Sequence, residues 1–153
     1  MPGLGSQLSH SNSAARKRKT FKLKRKDISS FSSGVSDWSA STGASLSDGP
    51  SDDRLVVATG SGSSNAHGYQ EFVCVPRTTY NFSIEVLSIG VGTQGKIWIG
   101  TSAGDNTHHS LDVTSTGTKT FTFTPTGTSF FVSLVTTAAR NNTQWDNLSI
   151  EEV

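Results

Sequence analysis

The stretch TYNFSIEVLSI, residues 79 to 89, sets Phe82, Ile84 and Val86 at every second position with Ser83 and Glu85 between them. Successive side chains of an extended chain point to opposite faces, so this period of two describes a strand with one dry and one wet side. A helix would need an apolar repeat near 3.6, and no window of the sequence sustains one. The same pattern spreads outward in both directions. RLVVAT (54 to 59), GYQEFVCV (68 to 75), KIWIGT (96 to 101), KTFTFTP (119 to 125), SFFVSLVT (129 to 136) and WDNLSIEEV (145 to 153) are all rich in Val, Ile, Phe and Thr. Between them lie DGPSDD, GSGSSNAHG, GVGTQG, SAGDNTHH and TSTG, built of the residues that make turns. Short strands separated by such loops predict an all-β chain, an antiparallel β-sandwich or jelly roll with helix nearly absent.

The charge is unevenly placed. Eight of the thirteen Lys and Arg residues (Arg16, Lys17, Arg18, Lys19, Lys22, Lys24, Arg25 and Lys26) precede residue 27, where no acidic residue occurs. From Asp27 onward five basic residues face twelve acidic ones, so a net charge of +1 conceals a basic arm and an acidic body. The expected organisation is an extended basic anchoring arm over residues 1–27 and one sandwich domain over 28–153. Residues 1–13 are mostly small and polar and offer little to bury. In TFKLK, Phe21 and Leu23 alternate with Lys22 and Lys24, an arrangement suited to adding a strand to a partner's sheet edge. The partner-binding candidates are therefore Arg16, Lys17, Arg18, Lys19, Phe21, Lys22, Leu23, Lys24, Arg25 and Lys26.

Cys74, the one cysteine, lies in the apolar run FVCV and reads as a small buried hydrophobe. No stretch approaches the ~20 apolar residues of a membrane span, and the basic start has no apolar segment behind it, so neither a secretory signal nor a membrane anchor is expected. No nucleophile elbow, HExxH or phosphate loop occurs, and the adjacent pairs Asp52-Asp53 and Glu151-Glu152 give no facing carboxylates. An enzyme is not expected. His108 and His109, placed in the loop SAGDNTHH, and His67, in another loop, do not make a metal site, because neighbouring residues on an extended segment point apart.

The opening ISSFSSGVSDWSASTGASLSDG, the run RLVVATGSGSSNAHGYQEFVCVPRTTYNFSIEVLS, then KIWIGTSAGD, GTKTFTFTPTGTSFFVSLV and the closing WDNLSIEEV together resemble the jelly-roll modules of the carbohydrate-binding, galactose-binding-like type. Such modules accompany bacterial secreted enzymes and the structural proteins of tailed bacteriophages. The resemblance covers residues 28–153 and implies the fold more directly than the function. Family members that hold a structural calcium take one acidic ligand after the first-strand Phe and another from the closing strand. Asp146 is the candidate in the closing strand, but Ser32 stands at the first position. The expectation is no cofactor, with Asp146 fixing a backbone turn before the last strand. For glycan binding the resemblance implies exposed aromatic platforms. Trp98, opposite in facing to Ile97 and Ile99, and Tyr69 are the candidates, while Trp38 and Trp145 occupy positions that the family packs into its core.

The resemblance and the arm lead to one expectation: a bacteriophage virion structural protein, first of all a capsid decoration or cement protein at the particle surface. The arm would fasten it to the major capsid protein or another acidic shell protein, with the jelly roll displayed outward as part of a homo-oligomer. The alternative is a tail or fibre-tip adhesin, or a free-standing module, binding host surface glycans. A nucleic acid could also attract such an arm, but cations interleaved with Phe21 and Leu23 favour a protein shell. The same charge split would let one subunit's arm bind its neighbour's body.

Overall fold

The computed structural model describes residues 35–49 and 54–153. The basic arm, Arg16 to Lys26 with Phe21 and Leu23, lies outside the described residues, as do Phe31, Ser32 and the arm–body boundary.

The described residues form ten strands: β1 (Ser39–Ala40), β2 (Ala44–Asp48), β3 (Leu55–Thr59), β4 (Ala66–Val73), β5 (Tyr80–Ile89), β6 (Gly95–Gly100), β7 (His109–Val113), β8 (Gly117–Phe123), β9 (Ser129–Thr136) and β10 (Asn142–Glu152). They make two five-stranded sheets, all neighbours antiparallel, in the orders β1-β4-β9-β6-β7 (sheet A) and β2-β3-β10-β5-β8 (sheet B). No helix occurs among the described residues. The fold is the all-β jelly-roll sandwich that the alternation predicts.

The inner faces interlock through the predicted positions. Phe82, Ile84 and Val86 from sheet B, and Ile97, Ile99, Phe130, Val132 and Leu134 from sheet A, are essentially excluded from solvent. Phe130 reaches across to Phe123 edge-on, with centroids 4.8 Å apart, and to Tyr80 at 6.1 Å. Trp145 is fully buried, and Trp38 nearly so, in agreement with the core role expected of both. Gly95 makes room for Trp145: a Cβ there would stand 3.0 Å from the indole Cη2. Cys74 is buried as expected, its thiol donating to the carbonyl of Gly127 at 3.3 Å, and burial pushes the thiol pKa up.

Several details differ from the sequence reading; β4, for one, begins at Ala66 and so takes in His67, which was read as a loop residue. β1, β2 and β7 were not among the expected strands. β10 begins three residues before Trp145, because Asn142, Thr143 and Gln144 already pair with β3. His109 belongs to β7 rather than to a loop. Asp146 lies inside β10 and not before it: its Oδ1 accepts from the Asn147 N–H at 2.7 Å, where the register with β5 shifts and Asn147 takes φ of 51°. The carboxylate does fix a backbone bend, but the bend is a bulge within the strand.

Candidate functional site

Pleating sends the alternate residues of sheet A to its outer face. From β4 these are His67, Tyr69, Glu71 and Val73; from β9, Phe131, Ser133 and Val135; from β6, Lys96 and Trp98; and from β7, Ser110 and Asp112. The register arranges them in rows. Ser39, Tyr69, Ser133, Trp98 and Ser110 lie side by side across all five strands. His67, Val135, Lys96 and Asp112 make the row on one side, and Glu71 and Phe131 pair on the other.

Four aromatic side chains thus gather over the central strand. His67 lies with its ring centroid 5.9 Å from Tyr69 and 6.2 Å from Trp98, and Tyr69 is 6.4 Å from Phe131. Their planes are tilted by 50° to 59°, so the rings make a faceted surface and not one flat plate. All four are half-buried. Tyr69 and Trp98 flank Ser133 from the two neighbouring strands, so their backbones stand two strand spacings apart, ~10 Å. Structure therefore brings together the two residues proposed from sequence as a glycan platform, and adds His67 and Phe131 to them. His67 was assigned to a loop and Phe131 lay in the apolar run SFFVSLVT, which does not reveal its facing.

A loop closes part of this face. Between β6 and β7, Gly104 donates its backbone N–H to Ser133 Oγ at 2.9 Å, and its Cα lies so near His67 that a Cβ would stand 2.9 Å from the imidazole Cε1. Only glycine suits that place, because φ is +76° and the ring is already in contact. Asp105 holds the loop in shape. Its Oδ2 accepts from Thr107 Oγ1 (2.7 Å), the Thr101 N–H (2.7 Å) and Thr101 Oγ1 (3.0 Å), and its Oδ1 accepts from the Thr107 N–H (3.2 Å). Those hydrogen bonds, that from the Thr107 hydroxyl first, hold the Asp105 carboxyl well below the usual carboxylate range. At the far margin Lys96 and Asp112 form an ion pair at 2.9 Å.

The resulting surface has aromatic faces to stack against and charged groups at its edges, which is chemistry that packs the C–H faces of a sugar ring while meeting its hydroxyls, whereas Ser133 beneath is fully buried with its hydroxyl held by the Gly104 N–H. Among the described residues no group of three His, Cys, Asp or Glu side chains is placed to hold a metal ion. The calcium candidate Asp146 lies on sheet B, and Ser32, the other position in question, falls outside the described residues. The His109 ring turns inward onto Phe121, with centroids 3.7 Å apart.

No protein-family model and no curated protein sequence matches the chain. Solved structures do. The CBM22-1 xylan-binding domain from Paenibacillus barcinonensis Xyn10C superposes with a TM-score of 0.63 at 17% identity, over 81% of this chain and 91% of that one. TmCBM61 in complex with β-1,4-galactotriose gives a TM-score of 0.55 at 15% identity, over 86% of this chain and 97% of the other. The enzymatically active domain of bacteriophage CBA120 tailspike protein 4 gives 0.58 at 14% identity over 82% of this chain, which corresponds to 21% of the tailspike chain. With the two sheets and their order, these likenesses establish that the chain has the jelly-roll fold of the carbohydrate-binding modules.

Proposed function

We propose that the body of this protein is a non-catalytic glycan-binding jelly roll, with its ligand laid across the outer face of sheet A. One observation carries the reading: Tyr69 and Trp98 stand either side of Ser133 in a single cross-strand row, with His67 and Phe131 adjoining, on the outside of a sheet whose inner face already supplies a complete core. Four aromatic side chains on the solvent face of one sheet contribute little to that core and are suited to stacking. Xylan and β-1,4-galactotriose, named with two of the similar structures, are the first probes. The test is a glycan array followed by calorimetry on the full chain. Saturable binding to a defined saccharide supports the reading, and an array blank at millimolar saccharide sinks it.

The second reading, a virion protein fastened through its arm as a capsid decoration or cement protein, is favoured by the charge split of the sequence. Eight cations precede residue 27, and the remaining chain is net acidic. On this reading the arm binds the major capsid protein or another shell protein and the jelly roll faces outward at the particle surface. The likeness to part of a phage tailspike is compatible with it and equally with an adhesin at a tail or fibre tip. Mixing the full chain with purified undecorated phage heads at low and high salt tests it. Binding that raises the heat resistance of the heads supports a cement; failure to bind at either salt removes it.

A further inference from the structure

Phe131 stands between two carboxylates. In the register of sheet A its neighbour on β4 is Glu71 and its neighbour on β6 is Gly100. Gly100 shares the parity of Lys96 and Trp98, so a side chain there would point outward. The loop after β6 folds back over that spot at the margin of the face, so close that a Cβ on Gly100 would lie 2.5 Å from Asp105 Oδ2. One cross-strand row therefore reads carboxylate, phenyl ring, carboxylate, with the backbones of Glu71 and Gly100 two strand spacings apart, ~10 Å. Tyr69 adjoins the same ring from the next row, with centroids 6.4 Å apart.

No basic side chain offsets these charges. Glu71 is exposed, and its carboxylate has no hydrogen bond or ion pair among the described residues. Asp105 is kept ionised by the four hydrogen bonds it accepts, three on Oδ2 and one on Oδ1, so Oδ1 has room for another donor. The row of Phe131 and the rows on either side of it, Tyr69 with Ser133 and Trp98, and Val73 with Ser129, contain no Lys or Arg. The lysine of this face, Lys96, is two rows away and already bound to Asp112 at 2.9 Å. Charge is thus balanced beyond Trp98 and net negative around Phe131.

A ligand laid on Phe131 meets this field directly. An anionic group would stand among like charges and a neutral sugar would gain the stacking alone, whereas a protonated amine gains both the negative face of the ring and a charge-assisted hydrogen bond. We propose that the Phe131 end of the aromatic surface is a subsite for a protonated amino sugar, its ring stacked on Phe131 and Tyr69 and its ammonium donating to Glu71, with Asp105 adding its charge from the margin. The inference rests on the glycan-binding reading and gives it a substrate class: saccharides that carry a free amine, in preference to neutral ones and against uronic or sulfated ones. Glu71 is then the residue that sets specificity, while the rings supply affinity common to all saccharides.

Three oligosaccharides of one backbone isolate the amine: the β-1,4-linked tetramers of glucose, glucosamine and N-acetylglucosamine, titrated calorimetrically into the full chain at low and high salt. The glucosamine tetramer is expected to bind about fivefold more tightly than the glucose tetramer at low salt, with a narrower margin at high salt and the acetylated tetramer close to glucose. Glu71→Gln should bring the glucosamine tetramer down to the affinity of the glucose tetramer. Glu151→Gln, on an exposed residue of β10 in sheet B, makes the same change in net charge and should leave the margin intact, which separates a site from general attraction to an acidic body. Equal affinities in the parent, a margin that survives Glu71→Gln, or one lost equally in Glu151→Gln overturns the inference and leaves the glycan reading in place. If none of the tetramers binds, the inference falls; the glycan reading falls with it only when the array is blank as well.

Discussion

His109 and Phe121 stack face to face, with centroids 3.7 Å apart and planes inclined by 10°, and so join the edge strand β7 of sheet A to the edge strand β8 of sheet B. Phe121 continues the stack onto Phe82 at 4.6 Å, so the imidazole serves as the outermost ring of an aromatic column that closes one side of the sandwich. Neutral imidazole suits this place and imidazolium does not, because the charge would lose hydration against the apolar ring of Phe121. Burial accordingly lowers the His109 pKa.

That shift sets a direction for acid stability. Above the unfolded-state value, about 6.5, His109 is neutral in both states and imposes no penalty. As the pH falls through that value the unfolded chain takes up a proton that the folded chain resists, so stability is lost until the pH reaches the lower folded pKa. The thermal midpoint should therefore decline between pH 7.5 and 5 with a contribution from His109. His109→Phe keeps the stack and removes the titration; its midpoint should match the parent's at pH 8 and exceed it at pH 5. Equal pH slopes for the two proteins would refute the assignment.

A second expectation concerns the outer face of sheet A. Trp98→Ala and Tyr69→Ala each remove a stacking surface while leaving the inward residues Ile97, Ile99 and Gly68 in place. Each should weaken glycan affinity tenfold or more, which corresponds to ~1.4 kcal/mol, with the thermal midpoint little changed. Calorimetric titration alongside thermal melts separates the two effects. A variant that loses affinity only in proportion to its loss of fold would count against the platform.

These residues also show what a one-dimensional reading can find. β9 carries the bounds expected of SFFVSLVT, and the alternation of KIWIGT gave the facing of Trp98, because period two is a local property of the chain. Phe131 could not be assigned in the same way: it stands in an unbroken apolar run, and only pairing with Glu71 and the neighbouring Tyr69 places it outside. β7 escaped because HSLDV has just two aliphatic inward residues, Leu111 and Val113, and its third inward position is His109, a residue that reads as polar until it is seen under Phe121. Loop and ring contacts such as Gly104 against His67 join distant parts of the chain and leave no local pattern to read.

The loop from Thr101 to Thr107 depends on Asp105, whose two carboxylate oxygens accept four hydrogen bonds from Thr101 and Thr107. Asp105→Ala removes both acceptor oxygens and with them all four hydrogen bonds. Amide exchange at Thr101 and Thr107 should quicken and the thermal midpoint should fall. Because Gly104 reaches Ser133 and His67 from the same loop, glycan affinity should fall as well, although Asp105 is not on the aromatic face. Asp105→Asn, which retains one acceptor oxygen, should lie between. The parent's own dependence on this carboxylate has a clear sign: a folded pKa held below the unfolded one contributes stability above the unfolded value, and that contribution is lost in acid well below pH 4. Unchanged exchange at both threonines in Asp105→Ala would show that the loop is shaped by other contacts.

The last expectation lies in the core, where three strands share one polar chain. Trp145 Nε1 donates to Thr143 Oγ1 at 2.8 Å, Thr143 Oγ1 and Thr136 Oγ1 are 2.8 Å apart, and Thr136 Oγ1 donates to the carbonyl of Val57 at 2.8 Å. Both threonines are fully buried, so each hydroxyl that is removed leaves a partner without its hydrogen bond and out of reach of solvent. Thr136→Val preserves shape and strands the Val57 carbonyl; Thr143→Val strands the indole N–H. Each should cost about 1–3 kcal/mol of unfolding free energy. The double variant should cost less than the sum of the two, because the hydrogen bond between the hydroxyls can be lost only once. Urea unfolding of the four proteins closes the cycle, and strict additivity would mean that the two hydroxyls do not act as one network.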